Sequence, residues 1–401
     1  VNPLIREVFD LVLRWVHLIA GIMWVGNSML FNWLDRNLDK EATKANERSM
    51  GEIWMLHSGA YYQVEKKMLA PTEFPKVLHW FKWQSYTTWL SGISLLAVVY
   101  YMQSGGAYLV DPTVSGISVD TAMDIGLASV FGGFLFYDLT WRILGKRFEN
   151  VATALTIALV AAAIIVLPRL LSGRAAYIHV GVLLGTIMSG NVFLHIVPSQ
   201  RQLVEATKKG TGGDLSLSAH AKQRSIHNNY FTFPLLFIMV SNHFPSTYGS
   251  EHTSLILAVL VLSGAGVRHC MNVRFTWKPW FPVASGVVLT AFALLFVLMG
   301  GREAMAGKPK TPPERVAFSR VQVVLNDRCV PCHAQKPTDP TVQTPPGGVM
   351  FETPEQIKSY AERIKVRAVV SRTMPLANKT HITEDERDLL AKWILAGAKV
   401  E

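Results

Sequence analysis

Up to position 300 the chain is built from eight mostly apolar blocks of about 19 residues or more, at 8–33, 83–103, 121–142, 150–168, 176–198, 226–244, 253–273 and 281–300. At 1.5 Å per residue, each is long enough to cross a hydrocarbon core of about 30 Å as a helix. That one feature removes most architectures, because backbone groups in lipid must be satisfied within helices or closed barrels. Half of all residues are apolar and 17% are charged, and the charge gathers between the blocks and after the last one. The sixth block is the weakest, since it carries Asn228, Asn229 and Pro234.

The connections fix an orientation. Segment 34–82 holds Arg36, Lys40, Lys44, Arg48, Lys66, Lys67, Lys76 and Lys82, and the third, fifth and seventh connections are also basic, whereas 104–120 and 245–252 have no Lys or Arg. Basic connections stay in the cytoplasm, so both chain ends are expected outside it; Arg169 and Arg174 are the contrary pair. The formal net charge of +10 sits mostly in these loops rather than on one soluble face, which argues against a nucleic-acid partner.

After a Pro- and Gly-rich stretch at 301–313, expected to be a linker, the composition becomes that of a small soluble domain. It contains Cys329-Val-Pro-Cys332-His333. Covalent haem needs two thiols to add to its vinyl groups and a histidine beside the second thiol to meet the iron, and CxxCH supplies all three. Segments 315–327 and 383–398 read as the two helices flanking it, the second opened by the capping pair Thr383 and Glu386. Met374 lies 374 − 333 = 41 residues beyond His333 and is the candidate second axial ligand, a thioether that raises the potential; Met350 is the competing choice. A zinc half-site or a thioredoxin-like pair is the other reading of CxxC. The remaining cysteine, Cys270, reads as a buried structural thiol.

Ionisable residues within spans are functional candidates. His17, His179 and His243 fall toward the outer half, and His195, His227 and His269 fall at inner ends. Because His179 and His195 share one helix 16 residues apart, about 24 Å separates them, the spacing of two stacked haems on one helix. These six are the candidate ligands of one or two b-type haems; the plain alternative is that each bonds a neighbour or reaches for the interface. Asp138 and Arg142, four apart, read as a helix-face ion pair. Trp80, Trp83, Trp277 and Trp280 read as interfacial anchors.

Segments 14–27 (RWVHLIAGIMWVGN), 57–66 (HSGAYYQVEK), 78–83 (LHWFKW) and 87–92 (TTWLSG) resemble the membrane-bound urate hydroxylases of bacteria, in which a urate-oxidising bundle is fused to a C-terminal cytochrome c. The resemblance implies an all-α protein: an eight-helix transmembrane bundle over 1–300, then a class I-type cytochrome c domain over 314–401, with both termini and that domain periplasmic at the bacterial inner membrane. It further implies oxidation of urate to 5-hydroxyisourate with oxygen from water, and electrons leaving through bundle haem and haem c to a terminal oxidase or soluble cytochrome. The candidate urate site at the inner face is His57, Tyr61, His195, His227 and Arg268, with Arg as an anion fork and a histidine as base. A quinol-oxidising respiratory subunit and a haem or metal transporter with a cytochrome tail are the rival readings.

Overall fold

A computed structural model of the chain describes residues 3–299 and 316–400, apart from 45, 103–105, 107, 113 and 212–214. The expected linker at 301–313 lies outside the described residues.

Every expected span falls in a helix. In order these are α1 (Pro3–Asn37), α2 (Trp83–Leu96, continued by a π turn over Ala97–Tyr101), α3 (Val119–Ile143), α4 (Glu149–Leu170), α5 (Gly173–Lys209), α6 (Leu215–Val240), α7 (Thr253–Val273) and α8 (Trp280–Leu298). Six of them, α1, α3, α4, α5, α7 and α8, are long and apolar enough to cross a membrane. The sixth expected block is shorter than its helix: α6 begins at Leu215, so Lys222 and Arg224 dilute its apolarity and belong to the same rod as Asn228.

The reading of the chain as all-α needs one correction, in the connection 34–82. Strands β1 (Ser49–His57) and β2 (Ala60–Lys67) pair antiparallel with Ile53 opposite Val64 and His57 opposite Ala60. Ser58 and Gly59 form the two-residue turn, both with positive φ (53° and 77°), the geometry that matches the twist of a tight hairpin. β-branched and aromatic residues (Ile53, Trp54, Tyr61, Tyr62, Val64) supply the strand propensity. Lys66 ties the hairpin to Asp35 at the end of α1 at 2.6 Å.

α5 is the axis of the bundle. Ala175, Ala176, Tyr177, Val180, Leu184 and Ile187 are fully buried, and α2, α3, α4, α6 and α7 pack around them. α1 touches chiefly α2 and α8 chiefly α7, which leaves broad apolar flanks facing outward, as expected of helices bordering lipid. α5 is interrupted by a π segment over Asn191–Ile196. Such a bulge shifts the side chains that follow and recurs at functional sites. Here it carries Asn191 and His195.

The C-terminal domain forms its own core. α9 (Phe318–Arg328) and α10 (Glu384–Leu395) cross through Val321, Leu325, Leu390 and Trp393. The capping box expected at Thr383 and Glu386 is present, and Glu386 also takes a bridge from Arg328 at 3.0 Å. The domain rests on the bundle where α6 turns into α7: Gly249 lies so close to the Ser371 carbonyl that a side chain there would collide with it. This is the end of the bundle at which α5 begins, so His195, 22 residues further along, lies toward the opposite end.

Candidate functional site

Two centres carry chemistry. The first is assembled at the end of the bundle away from the C-terminal domain, from α3, the π segment of α5, and α6. Asp138, almost fully buried on α3, accepts from Nε of Arg142 at 2.6 Å and Nε2 of His195 at 2.5 Å, and the guanidinium of Arg224 stands 3.6 Å away as an ion pair without a hydrogen bond. The ion pair read from the sequence therefore exists, and it is one edge of a larger network. Because a carboxylate only accepts, His195 donates from Nε2 to Asp138 and its Nδ1 accepts from His220 Nε2 at 3.1 Å. That is a relay, His220 to His195 to Asp138, whose tautomers are assigned by the bonds themselves.

Behind the relay, Arg224 is fully buried. Its Nη1 reaches Asn191 Oδ1 at 3.4 Å and its guanidinium lies 5.3 Å from the centre of the Tyr137 ring. Nε and Nη2 have no hydrogen-bond partner among the described residues, so a buried cation keeps donors in reserve. Tyr137 accepts from Asn191 Nδ2 at 3.0 Å and donates to His227 Nδ1 at 2.7 Å. His227 in turn packs 4.1 Å from Trp141, whose indole N–H is fixed by Thr156 Oγ1 at 2.8 Å.

A cavity of about 250 Å³ opens onto this network, lined by Trp141, Arg142, Lys146, His195, His220 and Gln223. It is smaller than the roughly 300–1,000 Å³ of a drug-sized pocket and suits a small planar ligand. Two cations favour an anion, a flat indole offers a stacking face, and two histidines offer bases. A larger cavity of about 410 Å³ lies further out, beside Phe74 and Lys208, but neither histidine nor aspartate lines it.

The structure divides the residues singled out from the sequence. It joins His195 to His227 through Asp138, Arg224, Asn191 and Tyr137. Arg268 is buried nearby on α7, where it donates to Asn229 Oδ1 at 2.9 Å, and His269 shares a bond with the Tyr230 hydroxyl at 2.8 Å. His57 and Tyr61 sit at the exposed tip of the hairpin, Tyr61 being 75% exposed, and do not line the cavity. His17 bonds the Thr88 carbonyl at 2.9 Å. Since the next residue, Trp89, bonds Thr186 on α5, His17 lies at mid-depth between His179 and His195 rather than level with His179. His243 is exposed in the turn that follows α6.

Sequence reasoning passed over Tyr137, Trp141, Asn191, His220, Gln223 and Arg224. The available signal was the spacing 220, 224, 227, a polar stripe on one helical face.

At His179 and His195, the pair that shares one helix, both ring nitrogens are already engaged. His179 donates from Nδ1 to Ala175 O at 2.8 Å and accepts at Nε2 from the Tyr101 hydroxyl at 2.7 Å. Gly126 presses against the same Nε2, since a Cβ there would come within 2.6 Å. Both nitrogens of His195 are likewise taken.

The second centre is the CxxCH segment, which follows α9. Its residues do fit a covalent haem. Cys329 and Cys332 are unpaired and half-buried. Burial pushes the Cys329 thiol up to about 12, and burial with Asp339 raises Cys332. Among the described residues no three His, Cys, Asp or Glu converge as a metal cluster. His333 donates from Nδ1 to Val349 O at 3.0 Å, which orients Nε2 as the ligating nitrogen. Burial lowers its pKa against that bond, keeping the neutral form that binds metal. Met374 is pinned by its backbone: its N–H donates to Arg367 O and its carbonyl accepts from Arg387 Nη1, both at 2.9 Å.

Residues 3–299 match the family model described as Urate oxidase N-terminal. No curated protein and no solved structure matches the chain. The family match runs from α1 to the end of α8 and so contains the whole relay network, and the chain belongs to the urate oxidase N-terminal family.

Proposed function

We propose that this protein is a membrane-bound urate hydroxylase that binds urate in the cavity at the inner end of the bundle. The observation that carries the reading is the relay His220–His195–Asp138 opening into a small, cationic, aromatic-walled cavity within the family-matched segment. In this reading all eight helices cross the bacterial inner membrane, with the C-terminal domain and both ends on the periplasmic side. The basic inner connections support that orientation.

The balanced reaction is urate plus water giving 5-hydroxyisourate, two electrons and two protons. Urate enters as an anion and is held by Arg142 and Lys146, with the Arg fork matching a carbonyl edge. The Gln223 amide both donates and accepts, as an edge of alternating C=O and N–H groups requires, and Trp141 stacks on the ring plane. His220 takes a proton from urate or from the attacking water and passes its Nε2 proton to His195 Nδ1. Asp138 stabilises the imidazolium so formed and fixes its orientation. Tyr137, His227, Asn191 and Arg224 form the rigid backing of the site. Cys329, Cys332, His333 and Met374 would hold a haem c, which would supply a one-electron acceptor. No step is assigned to a haem within the bundle.

The test is anaerobic. Urate added to the oxidised protein is expected to reduce its haem bands, with 5-hydroxyisourate carrying oxygen from labelled water. Reduction by quinol but not by urate would replace this reading with that of a respiratory subunit, and reduction by neither would favour a transporter.

A further inference from the structure

The larger cavity has a different chemistry. It lies between the loop 71–80 and the polar end of α5 and is lined by Lys76, Arg201 and Lys208 together with Phe74, Leu78 and Trp80. Three cations face one carboxylate, Glu205, which takes a bridge from Lys208 at 3.3 Å. The Lys208 ammonium also sits 5.2 Å above the Phe74 ring, so charged and apolar lining residues meet in one pair.

Depth is set by α5. Arg201 lies 201 − 173 = 28 residues from the helix start, about 42 Å along the axis, while the bilayer with its headgroups measures about 40–45 Å. The cavity therefore opens at the inner headgroup layer. Its walls are held in place from two directions. The loop begins with the turn Pro71–Glu73, whose Glu73 carboxylate accepts from the Ala70 N–H at 2.9 Å and pairs with Arg48 of the hairpin segment at 3.2 Å. Gly210, left-handed at φ 66°, ends α5 against Pro71.

We propose that this cavity binds an anionic phospholipid of the inner leaflet, with the phosphate among Lys76, Arg201 and Lys208 and the glycerol and upper acyl chains against Phe74, Leu78 and Trp80. A basic pocket beside spanning helices at the cytoplasmic surface has the charge and depth for such a headgroup. A free phosphate would leave the aromatic residues unused, and urate chemistry would find no histidine there. The inference rests on the chain crossing the membrane and not on its acting on urate.

The test uses the full-length protein purified in a mild neutral detergent and native mass spectrometry. Dihexanoyl phosphatidylglycerol, dihexanoyl phosphatidylcholine and inorganic phosphate are titrated separately. Phosphatidylglycerol is expected to bind at least tenfold more tightly than either of the others, and Arg201→Ala with Lys208→Ala, or Lys76→Ala alone should the pair fail to fold, is expected to weaken it several-fold. Equal binding of the two lipids, binding of phosphate as tight as that of the anionic lipid, or unchanged affinity in a folded variant would each overturn the proposal. Release of the protein from membranes by alkaline carbonate would instead contradict the membrane reading itself.

Discussion

The two centres are built in opposite ways. At the C-terminal centre, two thiols and the histidine lie within five consecutive residues, and Val349, Arg367 and Arg387 act only to orient the histidine and Met374. At the bundle centre no two partners of the relay are neighbours in sequence: Asp138, His195 and His220 come from three helices and meet only because α3, α5 and α6 pack together. A centre of the first kind is specified by its motif, and one of the second kind by the fold. The first should therefore fail by losing its group while the bundle stands, and the second should lose stability and activity together.

The sharpest contrast comes from deleting each centre. Cys329→Ala with Cys332→Ala is expected to abolish covalently attached haem completely, read as haem staining on a denaturing gel, with the bundle still folded. Asp138→Asn should lower urate turnover by about 10²–10⁴-fold, the usual worth of positioned acid–base catalysis. It should also destabilise the bundle by about 3–5 kcal/mol, because fully buried Arg224 loses its carboxylate. If that variant were as stable as the parent, the network would be a surface ornament of the fold rather than part of its core.

Smaller effects separate binding from chemistry. Arg142→Ala should raise KM for urate about tenfold, as expected for loss of one charged hydrogen bond, with kcat little changed. A drop in kcat alone would move Arg142 from binding to the relay. Within the C-terminal domain, Thr383→Ala removes the cap from α10 and should cost about 1 kcal/mol in thermal or denaturant unfolding.

The smallest effect is one of pH. Burial raises the Asp339 carboxyl, but bonds from Lys379 and Thr341 outweigh it and hold it at about 2, below its ordinary 3.8. Its folded pKa being the lower one, its contribution to stability is present above about pH 4 and is lost as pH falls through about 2. Asp339→Asn should flatten that part of the acid-unfolding curve and lower stability near neutral pH, where the contribution of the carboxylate is fully present.

The same contrast explains what could be seen in the sequence. Helix positions followed from apolar block length, and CxxCH, the Thr383 cap and the Asp138–Arg142 pair followed from spacings of four residues or fewer. The hairpin was hidden because its signal is a Ser-Gly turn between short strands inside a charged segment. His220, Arg224 and Gln223 were hidden because hydropathy starts the sixth block at 226, whereas α6 begins at Leu215. Tyr137 and Asn191 look like ordinary span residues until the π segment turns Asn191 toward α3. His57 and Tyr61 were drawn into the site by local resemblance, and their partners across the hairpin place them in the open.

The central claim is that urate is oxidised at the relay cavity and not at the hairpin. Stopped-flow reduction of the haem bands by urate under anaerobic conditions tests it, with His195→Gln and His57→Ala compared against the parent after each is shown to hold haem c. The account predicts that His57→Ala is reduced at close to the parental rate and that His195→Gln is at least about 10²-fold slower. Parental reduction of His195→Gln, or loss of reduction in His57→Ala alone, would contradict it.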